Sequence, residues 1–283
     1  MLCYSDTLVQ GLSSYDAWIL TLGTEVVQGR VINTNASYLG RRLTLLGFRV
    51  VGNVSLIDDV NIIAKYITII LDEKPSVIVT TGGLGPTYDD RTLEAIAKAL
   101  NKELVLNSDA FNMVKKKYET RNLPLTEERI KMAYLPNGGI AIPNPIGTAP
   151  GCWLEIGNSI IVSLPGVPQE MEAMWESWVE PRIRLIGPPV RVAEILLKII
   201  GVPESSLAPI IKNVLKQSPS EVYIKSHPKG EELGKPVIEL YIMSSNRDRE
   251  RAVEIAENIA NRILDSIRKG FEASIEILYR NIT

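Results

Sequence analysis

Between Thr80 and Thr92 the chain reads TTGGLGPTYDDRT, three glycines followed by two adjacent aspartates. Gly82, Gly83 and Gly85 let the backbone take positive φ and approach a ligand closely, while N–H groups at the start of a following helix attract anions. The segment therefore suits a phosphate-bearing ligand. A second reading needs no ligand: the glycines make a turn, and Asp90 caps a helix whose first turn Glu94 favours. The segment matches neither GxGxxG nor GxxxxGK followed by Ser or Thr, so the dinucleotide and P-loop signatures are absent.

What the chain lacks narrows the other chemistry. Its one histidine, His227, lies in the polar segment SHPKGEELGK beside Pro228, which argues against a Ser-His-Asp triad and a His-rich metal site. Cys3 and Cys152 stand far apart, without CxxC spacing, so neither a disulfide framework nor a cysteine zinc site is indicated. Acid, base or metal chemistry then falls to carboxylates, whose oxygens favour a hard cation such as Mg²⁺. A net charge of -2 gives no general attraction for nucleic acid or an anionic membrane. No run approaches the roughly 18 apolar residues of a membrane helix. With two isolated cysteines and no signal-peptide pattern in MLCYSDTLVQGLSSYD, the expected location is the cytoplasm.

The elements that must hold these residues follow from periodicity. SVIVTT before the glycines is β-branched and reads as a buried strand, and LEAIAKAL after Asp90 has helical spacing. AWILTLG is a first strand, NTNASYLGRRLTLLG a helix ending at Gly47, FRVVGNVSLI a second strand, and DDVNIIAKYITIILDEKP a helix that Asp58 or Asp59 starts. This βαβαβα order predicts an α/β fold with a mainly parallel sheet and helices on both faces. NSDAFNMVKKKYETR and LTEERIKMAYL read as further helices, WLEIG and IIVSLP as a hairpin-like pair, and PQEMEAMWESWVEPRIRLI as a helix with a packing stripe of Met171, Met174, Trp175 and Trp178.

Gly187, Pro188 and Pro189 mark a linker. Residues 1–14 are read as a polar extension, 15–187 as the first domain, and 190–283 as a smaller α+β domain of order βαββα. A chain of 283 residues, 45% hydrophobic and 23% charged, is long and apolar enough for two such cores.

Four segments, LGTEVVQGRVINTNASYLGRRLTLLGF, VIVTTGGLGPTYDDRT, NPIGTAPG and LPGVPQEM, follow one another as in the amino-terminal part of CinA-like (competence/damage-inducible) proteins. GVPESSLA resembles the GxxES segment that comes next there. The chain thus resembles this family over about residues 17–283, and its first domain resembles the three-layer MoaB/MogA-like molybdopterin-binding superfamily. The amidase domain of longer CinA proteins has no counterpart, so deamidation of nicotinamide mononucleotide is not implied.

The resemblance implies metal-dependent hydrolysis of a nucleotide pyrophosphate, with ADP-ribose giving AMP and ribose 5-phosphate as the expected reaction. Asp90 matches the functional aspartate at the end of the GGxG loop and Asp58 the one after the second strand, with Asp59 close by as a competitor. Glu25 follows the first strand and joins them as ligand or base, with Asp90 and Asp58 expected to hold Mg²⁺. Gly82, Gly83 and Gly85 would offer amides to phosphate oxygens. Asn33 and Asn35 would contact a ribose or base, unless Asn33 only caps the helix. Gly147, Thr148, Gly151, Pro165 and Gly166 resemble pocket-lining loops.

Two other functions are weighed. A molybdopterin-binding or adenylyl-transferring protein of molybdenum cofactor biosynthesis keeps the same fold. A non-catalytic nucleotide- or RNA-binding module rests on a loose KH-type likeness of the second domain, which lacks a GxxG loop. The expected partners are a nucleotide or pterin ligand and a second copy of the chain, with the apolar strand VIELYIM offered for burial in a dimer.

Overall fold

A computed structural model describes residues 15–282, so the expected extension at 1–14 and Cys3 lie outside the described residues. Two compact units divide the chain, one formed by residues 15–44 with Phe48–Gly187 and the other by Leu45–Gly47 with the residues from 188 onward.

In the first unit, β1 (Asp16–Leu22), α2 (Thr34–Leu45), β2 (Arg49–Leu56), α3 (Val60–Asp72), β3 (Val77–Thr81) and α4 (Thr92–Ala99) alternate as their periodicity predicts, with a short helix α1 (Thr24–Val27), not expected from the sequence, between β1 and α2. After them come β4 (Leu104–Leu106), α5 (Ser108–Glu119), α6 (Glu127–Lys131), β5 (Tyr134–Pro136), β6 (Ile140–Ile142), β7 (Gly151–Ile156), β8 (Ser159–Leu164), α7 (Pro168–Met174) and α8 (Glu180–Ile186).

The main sheet has the order β2-β1-β3-β8-β7-β6. The first four strands are parallel, and β7 and β6 extend the sheet antiparallel. Every residue of β3 is buried, as expected of a strand covered on both faces. α3 turns Val60, Ile63, Ala64, Ile67 and Ile70 inward, and α4 adds Leu93 and Ile96 to the same core. Because β1, β2, β3 and β8 run parallel, the loops that follow all four leave from one edge of the sheet. Strand order reverses between β1 and β3, the position where open α/β sheets leave a crevice.

One local reading is corrected, one is refined, and a choice left open between two aspartates is decided. LTEERIKMAYL is helical only over Glu127–Lys131 and then becomes β5, which pairs with β4. The expected last helix of this unit runs without a gap from Pro168 to Ile186, widening to a π-helix over Trp175–Val179 between α7 and α8. The side-chain cap of α3 is Asp59, whose Oδ1 accepts from the N–H groups of Asn61 and Ile62, both at 2.9 Å.

The second unit contains β9 (Arg191–Ile200), α9 (Glu204–Lys216), β10 (Val222–Glu232), β11 (Lys235–Asn246), α10 (Arg249–Gly270) and β12 (Ser274–Ile282). Its antiparallel sheet has the order β10-β11-β9-β12, so one strand beyond the expected βαββα completes it. α10 is long and amphipathic, laying Ala252, Ala256, Ile259, Ile263 and Ile267 on the apolar residues Ile195, Leu197 and Ile199 of β9. The segment VIELYIM is β11, paired on both sides, with Ile238, Leu240 and Ile242 filling this unit's own core. That strand is therefore not an exposed apolar edge for a dimer. No helix among the described residues is long and apolar enough to cross a membrane.

Candidate functional site

The loops at the carboxyl ends of β1, β2, β3 and β8 enclose a cleft of about 510 Å³. Glu25, Asp58, Gly82, Gly83, Gly85 and Asp90 all line it, as do Thr148, Pro165 and Gly166. Residues scattered over more than a hundred positions thus meet because parallel strands end together.

The glycine loop has little room to be anything else. Gly82 has φ +109°, and a Cβ there would lie 2.0 Å from the Leu22 carbonyl oxygen. Gly83 has φ +66°, with a Cβ meeting Thr92 Oγ1 at 2.2 Å. Thr92 Oγ1 in turn donates to the Gly82 carbonyl at 2.8 Å, fastening the turn to the start of α4. The amides of Gly83, Leu84 and Gly85 have no hydrogen-bond partner among the described residues. Three consecutive unengaged amides at a strand end make a concavity for an anion.

The carboxylates are held by threonines. Asp58 Oδ2 accepts from Thr24 N–H at 2.8 Å and Thr24 Oγ1 at 2.9 Å, while Asp90 Oδ2 accepts from Thr87 N–H at 2.9 Å and shares the one Thr87 hydroxyl proton, 2.6 Å away, with Asp89 Oδ1 at 2.5 Å. Each leaves its Oδ1 without a hydrogen-bond partner among the described residues. Asp90 does not cap α4, whose N-cap residue is Arg91 with no side-chain cap bond. Asp59, busy capping α3, is not among the lining residues, so Asp58 is the one that reaches the cleft. Lys131 Nζ donates to the Thr87 carbonyl and braces the same loop.

Glu170, within LPGVPQEM, also lines the cleft, and nothing in its sequence context marks it out for a role there. Asn144 Nδ2 donates to Glu170 Oε2 at 2.7 Å and to the Ala149 carbonyl at 2.9 Å, and its Oδ1 accepts from Gly147 N–H at 2.7 Å. A Cβ on Gly147 would lie 1.9 Å from Glu170 Oε2, so this glycine gives the carboxylate its space and does not itself line the cleft. Gly151 is also outside the cleft; it lies in β7, where a Cβ would meet the Ser163 carbonyl at 2.6 Å. Asn33 and Asn35 stand beside the cleft, in a smaller cavity that shares Glu25 and Gly166 with it.

Charge in the cleft has one sign. Glu25, Asp58, Asp89, Asp90 and Glu170 line it, and no Lys, Arg or His does among the described residues. The Thr87 hydroxyl, and then its own N–H, hold the Asp89 carboxyl below its ordinary range. No three His, Cys, Asp or Glu side chains among the described residues gather as a ready metal cage. A bare phosphate is repelled by such a wall unless positive charge accompanies it.

Residues 18–185 match a family described as a probable molybdopterin binding domain. A protein of Aeropyrum pernix is 47% identical over 256 residues, covering 90% of this chain and 93% of its own length. The crystal structure of CinA, of unknown function, from Thermoplasma acidophilum is 40% identical, covers 59% of this chain and 98% of its own, and superposes with a TM-score of 0.55. The tungsten cofactor synthesizing protein MoaB of Pyrococcus furiosus is 18% identical, with 62% of this chain and 97% of that one covered and a TM-score of 0.42. The family match and the likeness to CinA agree with the resemblance to CinA-like proteins and their molybdopterin-binding domain read from the four motifs. The family match overturns the expected enzyme class: the matched family is described by molybdopterin binding and not as a nucleotide or ADP-ribose pyrophosphatase-like hydrolase. The expectation of hydrolysis rested on the resemblance; paired aspartates beside a phosphate loop suit binding and cleavage alike.

Proposed function

Given that the chain belongs to the family described as a probable molybdopterin binding domain, which spans residues 18–185, we propose that it binds a phosphate-bearing pterin of the molybdopterin class in the 510 Å³ cleft. The observation that carries this reading is the row of unengaged amides at Gly83, Leu84 and Gly85, set where two glycines permit close backbone approach. They receive the phosphate oxygens, and the walls formed by Thr148, Pro165 and Gly166 flank the rest of the ligand.

Positive charge comes with the ligand. Mg²⁺ is commonly held by one or two carboxylates together with phosphate oxygens and waters, so it needs no cage made wholly of protein. Asp58 and Asp90, each with one oxygen anchored by a threonine and the other unengaged, fit that donor set. In this reading they hold the cation that screens the phosphate. Cysteine usage keeps the cytoplasm as the proposed compartment.

Titrating the purified protein with molybdopterin in the presence of Mg²⁺, followed by calorimetry, tests the proposal. Saturable binding at micromolar concentration is expected, and its absence with or without Mg²⁺ sinks the reading. The same preparation in light scattering tests a second part of the proposal, a homodimer. Its support is apolar surface left uncovered in the single chain, such as Ile32 and Leu185, each 85% exposed. A monomer mass would reject it.

A further inference from the structure

Beside the main cleft lies a cavity of about 80 Å³, which shares Leu22, Glu25 and Gly166 with it and is lined further by Thr21, Asn33 and Asn35. At roughly 30 Å³ per water, it accommodates the edge of a ring and not a whole ring. The two asparagines differ in what they leave unused. Asn33 is engaged at both ends: its Oδ1 accepts from Ala36 N–H at 3.0 Å, and its Nδ2 donates to Thr21 Oγ1 at 2.9 Å and Ser55 Oγ at 3.1 Å.

Asn35 is only 6% exposed, and its Nδ2 donates to Thr81 Oγ1 and to the Gly166 carbonyl, both at 2.8 Å. Chemistry fixes which end of the amide faces them. The Gly166 carbonyl can only accept, and Thr81 Oγ1 has already given its one proton to the Pro165 carbonyl at 2.8 Å. Both therefore require the NH₂ end. The Asn35 Oδ1 is left as a buried acceptor with no donor from the protein. Leaving a buried acceptor unmet is costly, so a donor brought by a ligand is favoured here.

We propose that this cavity is the subsite for the amino edge of the pterin ring, and that Asn35 selects the ring. The 2-amino-4-oxopyrimidine edge of a pterin carries an amino N–H beside a ring N–H. Asn35 Oδ1 accepts one of them and the Glu25 carboxylate, which lines the same cavity, accepts the other. The inference rests on the pterin reading above and adds to it an orientation: phosphate toward Gly83–Gly85, amino edge toward Asn35.

The test compares two probes in calorimetry with Mg²⁺ present: pterin carrying a 6-methyl phosphate, and the matching lumazine, in which a carbonyl acceptor replaces the 2-amino donor. The wild-type protein is expected to prefer the pterin by about ten- to a hundredfold, the range set by leaving buried polar groups unpaired. In Asn35→Ala the preference is expected to fall to near unity. Equal binding of the two probes by the wild type overturns the subsite, and this arm needs no variant to fold. A preference that survives in folded Asn35→Ala overturns the role of Asn35. If neither probe binds, the pterin reading fails and the subsite goes with it.

Discussion

Thr24 and Asp58 are joined by three hydrogen bonds: Asp58 Oδ2 accepts from Thr24 N–H at 2.8 Å and from Thr24 Oγ1 at 2.9 Å, and Asp58 N–H donates back to Thr24 Oγ1 at 3.3 Å. This clasp ties the turn after β2 to the start of α1, and so sets one carboxylate against the cleft. Its neighbour Asp59 does a different task, ending the helix ladder of α3.

The difference is measurable. Asp59→Ala should lower stability by about 1 kcal/mol, the usual loss of an N-cap, with the affinity for a pterin phosphate in Mg²⁺ unchanged within twofold. Asp58→Ala should weaken that affinity by about tenfold or more, the scale of one lost charge-assisted contact. Thermal unfolding and calorimetry on both variants separate the two roles. Equal loss of binding in both would mean that Asp58 acts only through local structure.

Two glycines make a similar contrast. Gly157, in the β7–β8 turn, has φ +58° and open space around its Cβ position, so Gly157→Ala should cost only about 1 kcal/mol for the left-handed backbone. Gly82→Ala adds a clash with the backbone oxygen of Leu22, which no side-chain rotation relieves. Its cost should reach about 3 kcal/mol as conformational and overpacking terms combine. Urea unfolding of the pair checks the difference, and similar midpoints would refute it.

Much of this site was readable because backbone demands leave marks in sequence. A buried strand such as SVIVTT followed by Gly82, Gly83 and Gly85 announces a strand-end turn, and Pro165 and Gly166 after IIVSL announce another. What sequence hides is the partner of a side chain. Nothing in GTE shows that Thr24 will hold Asp58, 34 residues on, or that Asn144 will orient Glu170, 26 residues on. IDD offered two carboxylates, and only the path of the chain into α3 decides which one caps. β12 escaped because most of its residues are exposed or half-buried and alternate weakly, so little periodicity marks it.

Glu180 is the most heavily engaged carboxylate of the first unit. Its Oε2 accepts from Arg42 Nε and Nη2 at 2.8 and 2.6 Å and from Trp175 Nε1 at 2.8 Å, and its Oε1 from Arg184 at 3.3 Å. Glu180→Ala should lower stability by about 2 kcal/mol, below the usual figure for breaking a buried pair because the Arg42 side chain keeps 32% exposure. Glu94→Ala, which breaks the exposed pair with Arg91, should change stability by less than about 0.5 kcal/mol. Denaturant midpoints with an unchanged slope would establish both.

Burial pushes the Cys152 thiol up to about 12. A thiol in the unfolded chain ionises near about 8.5, so above that pH the unfolded state releases a proton that the folded state keeps. The stability associated with this group is therefore intact below about pH 8.5 and declines as pH rises toward 12. In a Cys3→Ser variant at pH 8, a disulfide reagent should label Cys152 only as fast as the protein opens. Rapid labelling of the folded protein would show the thiol to be accessible.

The charge of the cleft gives a test that separates a cation site from a merely structural aspartate. Asp90→Asn preserves an oxygen for the Thr87 N–H and hydroxyl, and Asn and Asp differ little in shape, so the loop should persist. What changes is one negative charge among the five that line the cleft, those of Glu25, Asp58, Asp89, Asp90 and Glu170. Without divalent cation this charge only repels a phosphate, by about 3 kcal/mol for unit charges near 5 Å at an effective dielectric of 20 before salt screening. Removing it should then strengthen the weak binding of a pterin phosphate in chelator. With Mg²⁺ present the same carboxylate is a ligand to the cation, and removing it should weaken binding by about tenfold or more. The substitution is thus expected to act in opposite directions under the two conditions. Calorimetry in chelator and in Mg²⁺ measures both, and a change of the same sign in each would reduce Asp90 to the anchor of the Thr87 turn.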